Sequence, residues 1–328
     1  MIGFSTGYII VNVICTIIGL ATILCNSLAA MLILKKKRHW DNSLTFILHL
    51  CIADDFAGVL ILWNVIYNIN GHRNFFECVF RSSAISGVIF TSCFVLLGLS
   101  VDRYIKITAP FRSAQLENGR WVKVYVGGQW ALFFTVCLGI PALTWINHVI
   151  PYCDCGFFIV LKREYLLALT SFIAFALLCQ CFIYGHVFYI AMSKGNLQYA
   201  LYSRHKSIFN GNDKLKIQPF PSRQVLRTTR AVLFVCGLNL LTSLPVGVYV
   251  YLVSTNQLSY IDHHTQGDIL VYVATPLYLN SFINPFLYAF KIPDIRRTLS
   301  HYLPCFRSRI NPHGTTGYQT HLSVIELK

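Results

Sequence analysis

The chain has 328 residues, of which 55% are hydrophobic and only 12% charged, and it carries a formal net charge of +14. Soluble domains are about 25% charged, so this composition excludes a soluble enzyme or carrier and points to a chain that crosses a membrane several times. The basic excess must then be explained by where the lysines and arginines fall.

In chain order, apolar runs of the ~20 residues needed to cross a bilayer occupy residues 8–34, 43–69, 75–107, 121–146, 164–193, 225–253 and 267–290. Seven spans predict an all-α membrane bundle with its two ends on opposite sides. Basic residues in short loops stay on the cytoplasmic side. Four lie in "KKKRHWDN", five are Arg103, Lys106, Arg112, Arg120 and Lys123, eight fall from Lys194 to Arg230 and six in the tail. All of these are inside if the N-terminus is outside, which leaves Arg73, Arg81, Lys162 and Arg163 on the outer side. Insertion, and a cytoplasmic face that meets anionic lipid or an acidic partner, therefore account for the charge. No nucleic acid is implied. With about seven residues before it and no cleavage site, span one reads as a signal anchor. The sequence has no N-x-S/T sequon, no internal repeat and no paired interrupted helices of the transporter kind.

Most of the 12 cysteines lie inside apolar spans, where they read as small buried hydrophobes. Cys78, at the outer start of span three, and Cys153 and Cys155 in "PYCDCGFF" fall on the oxidising side. A bridge from Cys78 to one of the latter two would pin the second outer loop over the bundle. No His pair accompanies the C-x-C in the same loop, which argues against zinc.

A carboxylate at membrane depth costs about 2.5–3.5 kcal/mol on insertion scales. Span two nevertheless carries Asp54 and Asp55 in "LHLCIADDFAGV". Asn26, Ser92, Asn280, Ser281 and Asn284 sit at similar depth in spans one, three and seven. Facing one axis, they would surround Asp54 with oxygens suited to a hydrated monovalent cation such as sodium. Equally, they could form a network that only fixes helix packing. Adjacent residues on a helix diverge by about 100°. Asp54 and Asp55 therefore cannot act as the proton-sharing dyad of an aspartyl intramembrane protease, and no enzyme is implied.

At the inner end of span three, "FVLLGLSVDRYIKITAP" places Asp102, Arg103 and Tyr104 together before Pro110. With Asn26, "CIADD", Cys78, Trp130, "SLP" and "NPFLY" (Asn284 to Tyr288, including Pro285) in the successive spans, the chain resembles the rhodopsin-type (class A) G-protein-coupled receptors over nearly its whole length. The resemblance implies a plasma-membrane receptor, with a seven-transmembrane domain over residues 1–304 that includes a short amphipathic eighth helix at "FKIPDIRRTL". It further implies a flexible cytoplasmic tail over 305–328 with Cys305 as a palmitoylation site. The implied partners are a heterotrimeric G protein, arrestin, membrane lipid and a ligand. In the family's pattern, Arg103 pairs with Asp102 at rest and turns onto the G protein and Tyr184 of span five on activation.

Three positions depart from that pattern. Ser243 stands where the family has a tryptophan, although Pro245 is kept; Ala176 replaces the usual proline of span five; Asn239 replaces an aromatic residue. These departures predict a repacked switch or unusual basal activity. The acid that amine receptors carry in span three is here Ile85. Arg81, Ile85 and Ile89 fall on one helical stripe, and with Ser86 and Ser243 they outline a pocket for a lipophilic ligand. Arg81 is placed either to meet the ligand's polar head or to pair with Glu77, Asp154 or Glu164. "CVFR", "DRYIKITAPFR" and "CGFF" look most like the subfamily of the glucose-dependent insulinotropic receptor, which answers to acylethanolamides and lysolipids and couples to the stimulatory G protein, raising cAMP. That likeness favours Cys155 as the partner of Cys78. The alternatives are an amine or peptide receptor, or a constitutively active or non-signalling relative serving trafficking or heteromers.

Overall fold

In the computed structural model, residues 6–35, 42–70, 74–116, 119–141, 156–208 and 223–291 are described. Every regular element among them is a helix: α1 (Thr6–Lys35), α2 (Asn42–Asn70), α3 (Phe75–Thr108), α4 (Pro110–Leu116), α5 (Arg120–Leu132, continued as the π-helical turn Phe133–Gly139), α6 (Phe157–Val160), α7 (Arg163–Ile208), α8 (Arg223–Ser254) and α9 (His263–Lys291). Seven are long and apolar enough to cross a membrane, at the positions expected. The protein is a seven-helix membrane bundle. Cys153, Cys155, Cys305, most of the expected eighth helix and the tail 305–328 lie outside the described residues.

Local chemistry sets the helix ends. Asn74 caps α3, its side-chain oxygen accepting from the backbone N–H of Phe76 at 3.0 Å and of Glu77 at 3.3 Å. Pro110 opens α4, a position where its missing N–H costs nothing. Asp262 caps α9 through the N–H of Thr265 at 3.0 Å. Two boundaries differ from expectation. α7 runs on to Ile208 instead of ending near 193, because its inner extension is too polar to register as a span but still favours helix. α5 loosens into a π turn, which hydropathy cannot register.

α3 is the axial helix: 67% of its apolar window is buried, against 28% for α1, α5, α7, α8 and α9. Glycines let its neighbours approach. A Cβ at Gly87 would come within 2.5 Å of Cys137, and one at Gly98 within 2.5 Å of Phe46, so each marks a contact that admits no larger side chain. The inner core joins Phe46, Ile47 and Leu50 of α2 to Val95, Leu96 and Leu99 of α3. Trp130 of α5 borders it and donates its indole N–H to His49 Nδ1 at 3.3 Å. An outer cluster packs α6 onto Phe75, Val79, Leu166 and Val250. Leu24, Val124, Phe182 and Leu241 instead point outward, onto the face that lipid covers.

Candidate functional site

Two cavities follow the bundle axis. The outer one has a volume of about 720 Å³ and is bounded by α2, α3, α6, α7, α8 and α9. All five pocket residues expected from sequence, Arg81, Ile85, Ser86, Ile89 and Ser243, line it. Its walls are largely aliphatic, with Leu166, Leu169, Ile173 and Leu177 from α7 and Leu240, Val246 and Val250 from α8. Polar groups gather at the outer end, where Asn64, Asn68, His263 and Asp268 join Arg81. Sequence reasoning missed these four, although Asn64 and Asn68 stand at i, i+4 in an otherwise apolar span, the spacing that puts both on one face.

Arg81 is buried and already engaged. Its Nε donates to Glu77 at 2.9 Å, its Nη1 donates to Asn64, and its guanidinium lies 3.9 Å from the centre of the Tyr67 ring. Of the two roles open from sequence, the ion pair with Glu77 is formed. The i, i+4 spacing on α3 brings the carboxylate within reach.

The inner cavity holds about 30 Å³, and Asp54, Ser92, Asn280, Ser281 and Asn284 all line it. Asp54 is fully buried and accepts from Asn284 Nδ2 at 2.9 Å. Its other oxygen, and the amide oxygens of Asn280 and Asn284, have no hydrogen-bond partner among the described residues. Acceptors left unmatched in a buried space are costly unless a cation or water meets them, and the volume suffices for one such guest. The donor set is hard oxygen with a single carboxylate, which fits sodium. Asn26 does not join it: its amide donates to the carbonyl of Ser281 at 3.0 Å, tying α1 to α9. Asp55, unassigned from sequence, accepts from Ser27 of α1 at 3.0 Å.

Between the cavities stands a polar link that sequence reasoning registered only as missing aromatics. Asn239 Oδ1 accepts from Ser243 at 3.3 Å and from Asn280 Nδ2 at 3.3 Å. Ser243 lines the outer cavity, and Asn239 and Asn280 line the inner one. Ala176, at the missing span-five proline, is fully buried in an uninterrupted α7.

At the inner end Asp102 and Arg103 are 3% and 6% exposed, so the arginine is not reaching for headgroups. Asp102 accepts from Ser43 of α2 at 2.5 Å and pairs with Lys106 at 3.1 Å. Arg103 was the expected resting partner of Asp102; the contacts seen on the carboxylate are those of Lys106, one turn on, and Ser43. Tyr104 bonds His186 Nδ1 at 3.0 Å, and Tyr184 lies 2.6 Å from Ser100 and 3.1 Å from Cys236, joining α3, α7 and α8 below the cavities. Pro285 is buried in α9 beside Asn284. Tyr288 also falls in α9, where only the helix itself is described.

A seven-helix bundle with an outer ligand-sized cavity, a buried acidic core and an Asp-Arg-Tyr inner boundary has the build of a membrane receptor. Residues 25–288 match the 7 transmembrane receptor (rhodopsin family), and the chain belongs to that family. Its partners are accordingly a small-molecule ligand and a heterotrimeric G protein. The chain is similar to adenosine receptor A3 of Ovis aries, 24% identical over 303 residues, covering 90% of this chain and 88% of the relative. It is likewise similar to adenosine receptor A3 of Canis lupus familiaris, 24% identical and covering 92% and 91%. Adenosine receptor A2b of Gallus gallus is 23% identical, covering 98% and 95%.

Proposed function

We propose that the chain is a plasma-membrane receptor, N-terminus outside, for a lipophilic small molecule with a neutral polar head, and that it raises cAMP through the stimulatory G protein. The single observation carrying the ligand reading is the outer cavity of about 720 Å³, aliphatic along its length and polar at one end. A cavity of that size suits a drug-sized ligand. Glu77 already matches Arg81, and Asp268 adds a carboxylate at the same end, so the polar end offers hydrogen bonds without a surplus cation. That favours an amide or hydroxyl head over a carboxylate or phosphate, which would need an uncompensated cation. Ser243, in place of a tryptophan, leaves room for a chain to extend toward the inner cavity.

The inner cavity, in this reading, holds sodium through Asp54, Ser92, Asn280, Ser281 and Asn284. The cation favours the resting bundle and thereby opposes agonist. Arg103 is the residue that meets the G protein once α3, α7 and α8 part. A Cys78–Cys155 bridge anchors the second outer loop; in support, Cys78 is not among the free cysteines. Arrestin binding and palmitoylation of Cys305 belong to the same reading.

A second reading, a nucleoside agonist, draws on the names of the relatives. It requires the cavity to satisfy a base edge with hydrogen bonds, which Asn64 and Asn68 offer at the outer end and Ser243 deeper in the wall. Nucleotide exchange on membranes, with purified G proteins and adenosine, long-chain N-acylethanolamides or no ligand added, separates the readings. Activation by acylethanolamides, with potency rising about fourfold per added methylene until the chain meets the floor, is expected. Response to adenosine alone would reverse the ligand assignment, and full exchange with no ligand would mark a constitutive receptor.

A further inference from the structure

We propose that the outer cavity opens sideways into the bilayer through a slot between α7 and α8, and that an acyl chain passes through this slot from the outer leaflet. The inference rests on the lipophilic-ligand reading for the identity of the agonist, but its geometry is independent of it.

The same side chains line the cavity and face outward. Leu178 of α7 and Leu244, Val248 and Tyr251 of α8 all border the cavity, yet they are 69%, 55%, 49% and 53% exposed. A residue can do both only where the wall is broken. On the α3 wall, cavity-lining Ser82 and Ser86 are 4% and 5% exposed, so that side is closed, and the exposed cavity-lining residues of α9, His263 and Asp268, stand at the polar outer end. Gly247 supplies a second observation. It lines the cavity, and a Cβ built on it would meet nothing within 4 Å. Unlike Gly87, it therefore makes no close contact with a neighbouring helix, and a larger side chain has room there.

Depth says what covers the gap. At 1.5 Å per residue, Val248 lies ~9 Å and Leu244 ~15 Å below the outer end of α8, and Leu178 lies ~22 Å below the outer end of α7. The slot therefore runs at hydrocarbon depth in a ~30 Å core, where the neighbour is lipid tail and not water. The top of the cavity is treated differently. Gly156, Phe157 and Ile159 line it from α6, which is docked on the outer cluster. A ligand dissolved in the membrane meets an aliphatic opening, whereas one arriving from water meets the polar rim of His263 and Asp268 beside α6.

The test uses the full-length receptor in phosphatidylcholine nanodiscs. One arm incorporates phosphatidylcholine with a mid-chain diazirine, followed by photolysis and peptide mapping. Adducts are expected on the exposed seam (Leu178, Leu244) and also inside, on Ser86 or Ile89 of α3. Gly247→Phe should plug the gap and lower the inner adducts at least fivefold while leaving those on the seam. Gly247→Ala, which has room for its methyl, should keep both and guards against a variant that fails to fold. The second arm measures G-protein activation by a long-chain N-acylethanolamide. Activation without inner adducts overturns the slot and leaves the lipophilic reading standing. Inner adducts without activation overturn that reading and leave the slot as bilayer access. Inner adducts undiminished by Gly247→Phe place the opening elsewhere and refute the proposal.

Discussion

The outer cavity and the cavity at Asp54 share four walls, Ile85, Ile89, Leu277 and Tyr278, yet one holds about 720 Å³ and the other about 30 Å³. Their polar groups differ in kind as well. In the outer cavity aliphatic side chains form the walls, and the Arg81 charge is matched by Glu77. In the inner one, three oxygens remain without hydrogen-bond partners around a fully buried carboxylate. An apolar cavity can be enlarged or reshaped by single substitutions at modest cost, because its binding energy is spread over many small contacts. A buried polar cavity has no such latitude, since each unmatched group costs on the order of 1–3 kcal/mol. The bundle thus separates a place where ligand selectivity can vary from one where the state of the helices is held. The comparison predicts that inner substitutions change signalling more than recognition, and outer ones the reverse.

The largest effect is expected furthest from the ligand. Arg103→Ala should bring G-protein nucleotide exchange down to the receptor-free level while leaving surface expression and agonist binding in place. Normal exchange by this variant, measured on membranes with purified G protein, would show that the inner boundary does not transmit the signal.

Next comes the charge pair at the outer rim, the one place where the outer cavity carries a cost like that of the inner. Arg81→Ala leaves the partly buried Glu77 carboxylate without its partner and should destabilise the receptor by about 1–3 kcal/mol. The double change Glu77→Gln with Arg81→Met should recover most of that in a thermal-unfolding assay. If Arg81→Ala is as stable as the parent and loses only agonist potency, Arg81 serves the ligand head and the rim is not a structural pair.

A smaller, reciprocal effect belongs to the inner cavity. Replacing a bulky organic cation with sodium should weaken agonist affinity by roughly tenfold, within the ~1–3 kcal/mol usual for coupling between two sites. Asp54→Asn should abolish the difference, because it removes the only carboxylate among the described residues that line the cavity. Equal affinities in the two salts, in the unmodified receptor, would reduce the inner cavity to a packing network.

The seven helices were legible because burying or exposing ~20 residues at a time leaves a signal in hydropathy alone. The inner cavity was legible for a related reason: a polar group at membrane depth must find partners, so Asp54, Ser92, Asn280 and Asn284 could be grouped before any geometry was known. Where one residue had two adequate partners, the sequence could not decide. Arg81 had three acids within plausible reach, and only the packed bundle displays the pair with Glu77. Asp55 was unassigned because its partner Ser27 is an ordinary polar residue on another helix. The π turn in α5 and the run of α7 to Ile208 were invisible to an apolar window. Asn239 was read as the loss of an aromatic, since a side-chain amide facing two helices is a gain that only the packed bundle displays.

That link yields the smallest expected effect and the sharpest test of the comparison, because it is where the two cavities touch. Asn239→Leu removes the oxygen that accepts from both Ser243 and Asn280, leaving two buried donors without their acceptor in a site of nearly unchanged volume. The apolar replacement suits the outer cavity, so agonist affinity without sodium should change less than about threefold, while the sodium effect falls severalfold because Asn280 is no longer oriented toward the inner cavity. Asn239→Asp keeps the acceptor and brings negative charge toward the wall it shares with Asp54. The sodium effect should persist there, at a lower sodium concentration, because a second carboxylate strengthens attraction for a cation. Radioligand displacement over a sodium titration distinguishes the two variants. If both behave alike, the hydrogen bonds at Asn239 serve packing only, and the cavities are neighbours without being coupled.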